Sequence, residues 1–233
     1  VDAGMAVNLE LDTLNITGRT GNVIAIDIAN TTAANMVLTG ANVLDNGSSY
    51  SNAGHNPTIN IAADASLVID ATSTGSLRAT GNASGPAIGG ATAGSLTVNG
   101  GTIDAATGSS GISGGAEHCA IGGGYRGSMK SIVINGGTVT ASAAKCAAIG
   151  ATITEINGGT VTASNNPSVS YYTNPVIGVS GGTTTVTGGT LTRGAGARAT
   201  IAGAARTRGA GTRASGAAGA RHALRGGVGG VAR

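Results

Sequence analysis

One phrase recurs along this chain and constrains its fold more than any other feature. It reads Ile-Asn-Gly-Gly-Thr-Val-Thr-Ala at Ile134–Ala141 and at Ile156–Ala163, Val-Asn-Gly-Gly-Thr-Ile-Asp-Ala at Val98–Ala105, and in a worn form Val-Thr-Gly-Gly-Thr-Leu-Thr at Val186–Thr192. A second phrase precedes each copy: Ala87-Ile-Gly-Gly90, Ala120-Ile-Gly-Gly-Gly124, Ala148-Ile-Gly150 and Val176-Ile-Gly178. Self-similarity at this scale marks a repeat architecture and takes precedence over any local motif. Two phrases per repeat predict two short strands joined by glycine corners.

The two-residue period of a strand assigns the faces. In Ser131-Ile-Val-Ile134 the apolar side chains lead inward to the corner, and Asn135-Gly-Gly137 supplies residues that tolerate the positive φ of a tight turn. After the corner, Val139 and Ala141 face the core while Thr138 and Thr140 face out. Stacked copies then give an internal column of Ile103, Val139, Val161 and Leu191 and a corner column of Asn99, Asn135 and Asn157, whose amides can bond along the stacking axis. Outside, the same parity predicts a threonine ladder of Thr102, Thr138, Thr140, Thr160, Thr162, Thr190 and Thr192. Adjacent coils should pair parallel at ~4.8 Å.

The glycine pairs beginning at Gly100, Gly136, Gly158 and Gly188 lie 36, 22 and 30 residues apart, so the loops vary in length. The expected class is therefore all-β: a single-stranded right-handed parallel β-helix, a β-solenoid with irregular loops. Its hand follows from the strong preference for right-handed crossovers between parallel strands. The widest insertions, Ala106 to His118 and Ala163 to Pro175, should protrude on one side. Upstream, Asn35 to Leu44 reads as a degenerate copy of the turn, Thr58–Ile61 and Ser66–Ile69 as further strands, and Leu9 to Thr17 as a first coil or a cap.

Composition agrees with a thin solenoid. Of 233 residues 43 are Gly, none is Phe or Trp, and 10% are charged, so burial must come from Val, Ile, Leu and Ala in narrow layers. The charge is divided: Val1 to Thr192 carries five basic and ten acidic residues, whereas Arg193 to Arg233 carries eight Arg and no acid. This gives two expected regions, a β-helix over 1–192 and a Gly/Ala/Arg-rich, basic, low-complexity tail over 193–233, read as disordered or as out-of-frame text because Ala, Gly and Arg are the products of GC-rich codons. Its arginines lack interleaved aromatics, so no specific nucleic-acid partner is expected. No apolar run is long enough to span a membrane, and a start at Val1 reads as a mature form or an internal piece.

Chemical motifs are sparse. Asp104, Glu117, Glu155, Arg126, Lys130 and Lys145 are the acid, base and cation candidates of a polysaccharide-processing β-helix, but no coil carries the paired carboxylates that a calcium site or a hydrolase wants. No catalytic residue, metal or cofactor is expected. His118 beside Cys119 has no second His or Cys pair to complete a tetrahedral ligand set. Cys119 and Cys146 lie two and three residues before Ile121 and Ile149; neighbouring coils bring them close, leaving open either a disulfide or two small buried apolar side chains. Tyr125 and Arg126, which follow an Ile-Gly-Gly corner, and Tyr171 and Tyr172 in the second insertion are the candidate ligand-binding residues, since aromatic faces suit sugars. The regular threonine lattice suggests ice binding, although β-branched residues also suit any exposed strand.

The residues Ala120–Gly124 followed by Ile134–Ala141 resemble the repeats of large bacterial cell-surface proteins, the adhesin-like parallel β-helices, and the similarity runs roughly from Ser84 to Thr192. The resemblance implies a secreted or surface-attached, non-catalytic segment serving as a stalk or adhesin, with glycans or cell-surface polysaccharide as partners and an extracellular location. The alternatives are a polysaccharide lyase-like enzyme and an ice-binding solenoid. Open strand edges at the terminal coils also predict end-to-end self-association.

Overall fold

The computed structural model describes residues 3–17, 23–46, 56–82, 85–107, 118–124, 127–144, 146–165, 175–179, 181–193 and 204–206. These contain strands and no helix. The chain opens with Ala6–Asp12 (β1), Asn15–Ile16 (β2) and Ile26–Ile28 (β3), then repeats the trio as Ala33–Thr39 (β4), Ala41–Asp45 (β5) and Ile59–Ile61 (β6). Ser66–Ile69 (β7), Ser76–Thr80 (β8) and Ile88–Gly90 (β9) follow, then Ala93–Val98 (β10), Thr102–Ala106 (β11) and Ile121–Gly123 (β12), then Met129–Ile134 (β13), Thr138–Ala143 (β14) and Ile149–Gly150 (β15). Ile153–Ile156 (β16), Thr160–Asn165 (β17), Thr183–Val186 (β18), Thr190–Arg193 (β19) and Ala204–Arg206 (β20) complete it.

Each trio visits three sheets in the same order. Sheet A is β1-β4-β7-β10-β13-β16-β18-β20, sheet B is β2-β5-β8-β11-β14-β17-β19, and sheet C is β3-β6-β9-β12-β15, extended by a parallel bridge between Ile149 and Ile177. Every pairing between neighbouring strands is parallel. The repeat thus holds three strands rather than the two expected: the Ala-Ile-Gly phrase is the strand of sheet C, and the Asn-Gly-Gly corner separates a strand of sheet A from one of sheet B. The short apolar run before each corner, Ser131–Ile134 in the clearest copy, is the strand that the two-phrase reading did not count separately.

Leu9 to Thr17 contributes β1 and β2, so it forms the first rungs of sheets A and B. At the other end, Arg193 closes β19, and β20, within the stretch read as a tail, pairs with β18.

The core is one apolar cluster drawn from all three sheets, and register explains its columns. Leu77, Ile103, Val139 and Val161 are fully buried and stack in register in sheet B, with Leu191 packed partly against them. In sheet A the column Leu67, Leu96 and Ile132 continues into Thr154 and Thr184, both at 0% exposure. Neither threonine hydroxyl has a hydrogen-bond partner. Burying a hydroxyl without one costs ~1–3 kcal/mol by mutational measures. Thr154→Val keeps the branched shape and removes the polar atom, so we expect it to raise stability by about 1 kcal/mol in thermal or urea unfolding; a lowered midpoint would show that the hydroxyl is satisfied in solution.

The three corners differ. The A-to-B corner is tight in the later coils, as between Ile134 and Thr138 or Ile156 and Thr160, and longer between Ile69 and Ser76, whereas the longest connections run from B to C, as between Ala106 and Ile121 or Asn165 and Ile177. Both insertions singled out in the sequence therefore leave the same edge of the stacked sheets.

Candidate functional site

Sheet B presents the most regular outward surface. Thr102, Thr138, Thr160 and Thr190 occupy one column in register and are all exposed. Thr140, Thr162 and Thr192 form a second column beside it and are half-buried. Strand geometry separates the columns by ~7 Å and the rungs by ~4.8 Å. The second column ends at Asp104, beside Thr140, and the neighbour of Asp104 on the preceding rung is Arg78. A third column, Ser142 beside Ser164, was not anticipated, although the parity of Thr138, Thr140 and Ser142 carries the signal.

The corner beside this face holds a hydrogen-bonded ladder. Asn135 Nδ2 donates to Asn99 Oδ1 at 2.9 Å, Asn157 Nδ2 donates to Asn135 Oδ1 at 3.0 Å, and the Thr187 hydroxyl donates to Asn157 Oδ1 at 2.7 Å. The worn repeat thus keeps the ladder going, with a hydroxyl in place of an amide. One coil earlier, Asp70 accepts from the Thr72 backbone N–H at 2.9 Å and its hydroxyl at 2.8 Å. These bonds, and a weaker one from Asn35, hold its carboxyl below the usual range. The Asn99–Asn135–Asn157 column sets the register of the threonine face, because each rung's corner is fixed to the one before it.

The charged candidates are dispersed. Asp104 lies on the outer face of sheet B, while Glu155 lies on sheet A between Val133 and Thr185. Lys130 forms an exposed ion pair with Asp64 at 2.7 Å. Glu117, Arg126 and Lys145 lie outside the described residues. Among the described residues no group of three His, Cys, Asp or Glu side chains is arranged to hold a metal ion. Nor is any helix there long and apolar enough to cross a membrane.

The four residues named for ligand binding, Tyr125, Arg126, Tyr171 and Tyr172, also lie outside the described residues. By chain order Tyr125 and Arg126 belong to the connection from β12 to β13, and Tyr171 and Tyr172 to the one from β17 to Ile177. The cysteines do come together: Cys119 Sγ and Cys146 Sγ are 3.8 Å apart, with Cys119 buried and Cys146 half-buried. His118, beside Cys119 in sequence, is buried at 5% exposure.

No protein-family model matches this sequence, and comparison with curated proteins and with solved structures returns no match for it either, so the reading of its function rests on its own residues.

Proposed function

We propose that this chain is a repeat segment of a bacterial cell-surface protein: a right-handed, single-stranded parallel β-helix that acts outside the cell as a non-catalytic stalk or adhesin and recognises glycans through its long connections. The observation that carries the reading is the unequal treatment of the corners. The A-to-B corner is the same tight Gly-Gly turn in the four coils from Val98 to Thr190, while the longest connections leave the edge between sheets B and C. A regular stack whose connections are longest at one edge is how a scaffold presents a recognition surface. The tyrosines Tyr171 and Tyr172 fall in one such connection, and stacking of a sugar ring on an aromatic face is the contact they would supply. A glycan array probed with the full chain should give selective signals that fall at least tenfold on changing Tyr171 and Tyr172 to Ala, with a smaller loss for Tyr125→Ala. A blank array would leave the stalk role and remove the recognition role.

A second reading is favoured by the two in-register threonine columns of sheet B, which would meet a lattice of ordered water with hydroxyl and methyl groups at fixed spacing. Thermal hysteresis tests it. Activity that disappears when Thr138 and Thr160 are changed to Tyr and grows in Asp104→Thr, which extends the second column by one rung, would establish ice binding. Its absence in the unmodified chain would end that reading.

A further inference from the structure

We propose that Cys119 and Cys146 are a coil-to-coil thiol pair that closes to a disulfide in an oxidising thiol buffer and staples one turn of the stack to the next. The pairing of β12 with β15 puts Ile121 beside Ile149, so the two cysteines approach the same strand pair from adjacent rungs. They enter with a one-residue offset, two positions before Ile121 and three before Ile149. That offset does not keep them apart, since the sulfurs lie at 3.8 Å. A disulfide needs ~2.05 Å, so closure has to draw the two sulfurs nearer.

The two sulfurs are not equivalent. Cys119 is 4% exposed, and its sulfur rests over Gly150, where a Cβ would collide with it. Gly122 is also close, and a Cβ there would stand 3.1 Å from Cys119 Cβ. Two glycines of the Ala-Ile-Gly phrase thus leave the space that the Cys119 side chain occupies. Cys146 is half-buried and is the more exposed of the two. The order of events follows. The Cys146 thiolate attacks oxidised glutathione, forming a mixed disulfide and releasing one reduced glutathione. The Cys119 thiolate then attacks the Cys146 sulfur and releases the second. Two protein thiols and one oxidised glutathione become one protein disulfide and two reduced glutathiones, so electrons and protons balance.

The linkage spans 27 positions and encloses β12, β13 and β14, one complete visit to the three sheets. Closing a loop of that size removes enough unfolded-state freedom to raise the folded-to-unfolded ratio by roughly 100-fold or more in the chain-entropy account. The inference is independent of the cell-surface reading, because it concerns equilibrium chemistry of the isolated chain. The test equilibrates the full chain with reduced and oxidised glutathione, blocks remaining thiols by alkylation, and measures intact mass and cross-linked peptides. The expected result is a monomer lighter by two hydrogens, with a Cys119–Cys146 peptide pair and an unfolding midpoint that rises on oxidation and not in Cys146→Ser. Two alkylated thiols after equilibration, persistent glutathione adducts, or disulfide-linked dimers would each overturn it. Comparing the oxidised and reduced forms of the same chain keeps the test valid if the serine variant folds poorly.

Discussion

Gly137→Ala should destabilise this chain by about 3 kcal/mol, lowering its thermal midpoint by roughly 6–12 °C for a fold of this length. Two separate effects add at this position. Gly137 has φ of +74°, where a side chain costs ~1–2 kcal/mol, and a Cβ there would stand 2.6 Å from the Gly101 carbonyl oxygen of the preceding coil. The obstacle is backbone on a neighbouring rung, itself held by the corner ladder, so it cannot swing aside as a flexible side chain would. The neighbouring positions separate the two effects. At Gly136 the backbone is ordinary, but a Cβ would run into the carbonyl oxygen of Asn99. At Gly181 φ is +77° and nothing lies within 4 Å of the added atom. Gly181→Ala should therefore lose only the conformational part, ~1 kcal/mol, and Gly136→Ala only the steric part. Equal losses at Gly137 and Gly181 in urea unfolding would mean that the coils part easily enough to admit a methyl group.

That comparison also explains why so much of the fold was legible. A corner that needs one glycine for close approach of the previous coil and a second for positive φ writes Gly-Gly into the sequence at every turn, and the pair locates each corner from Gly100 to Gly188. The strand after it alternates so regularly that inward Val139 and outward Thr138 could be placed from parity alone, and register then stacked the copies as the asparagine ladder requires. Legibility fails where the repeat changes its chemistry. The third strand of each coil was hidden because the run Ser131–Ile134 adjoins the corner phrase and reads as part of it. The buried Thr154 and Thr184 were hidden because threonine is also the usual outward residue of this fold, and only the register with Ile132 reveals that these two point inward. The candidate site was less legible still. The threonine face follows from alternation, but Tyr171 and Tyr172 sit in an insertion that carries no period, and nothing in a repeat fixes where an insertion places its side chains.

Asn42 is the residue that the repeat most thoroughly concealed, and its replacement is expected to be the most damaging in the first half of the chain. It stands in register with Leu77, at the start of the aliphatic column of sheet B, and is 1% exposed. An amide is tolerated there because it is satisfied on every side. Its Oδ1 accepts from the Leu14 N–H at 2.9 Å, and its Nδ2 lies near the carbonyl oxygens of Leu11 at 3.2 Å, Thr39 at 3.0 Å and Ser76 at 3.1 Å. Those partners come from three successive coils, so one side chain ties the corner of β4 and β5 to the rungs on both sides. Asn42→Leu extends the apolar column yet leaves backbone groups of all three coils without their partner. At ~1–3 kcal/mol for each buried group left unsatisfied, a loss of about 3–5 kcal/mol is expected. Hydrogen exchange gives the sharpest reading, because the Leu14 amide should lose its protection while amides of β14 and β17 keep theirs, as expected for a stack held by nearest-neighbour contacts. Asn42→Asp is the complementary change. The carboxylate can still accept from Leu14, but it faces three carbonyl oxygens with no proton to offer, which disfavours the charged form and raises its pKa in the folded chain. The sign of the pH dependence follows: the defect is complete at neutral pH and shrinks as pH falls and the acid protonates, since the neutral carboxyl can donate to one carbonyl. A variant that loses stability equally at all pH values would show that the amide's role is packing rather than donation.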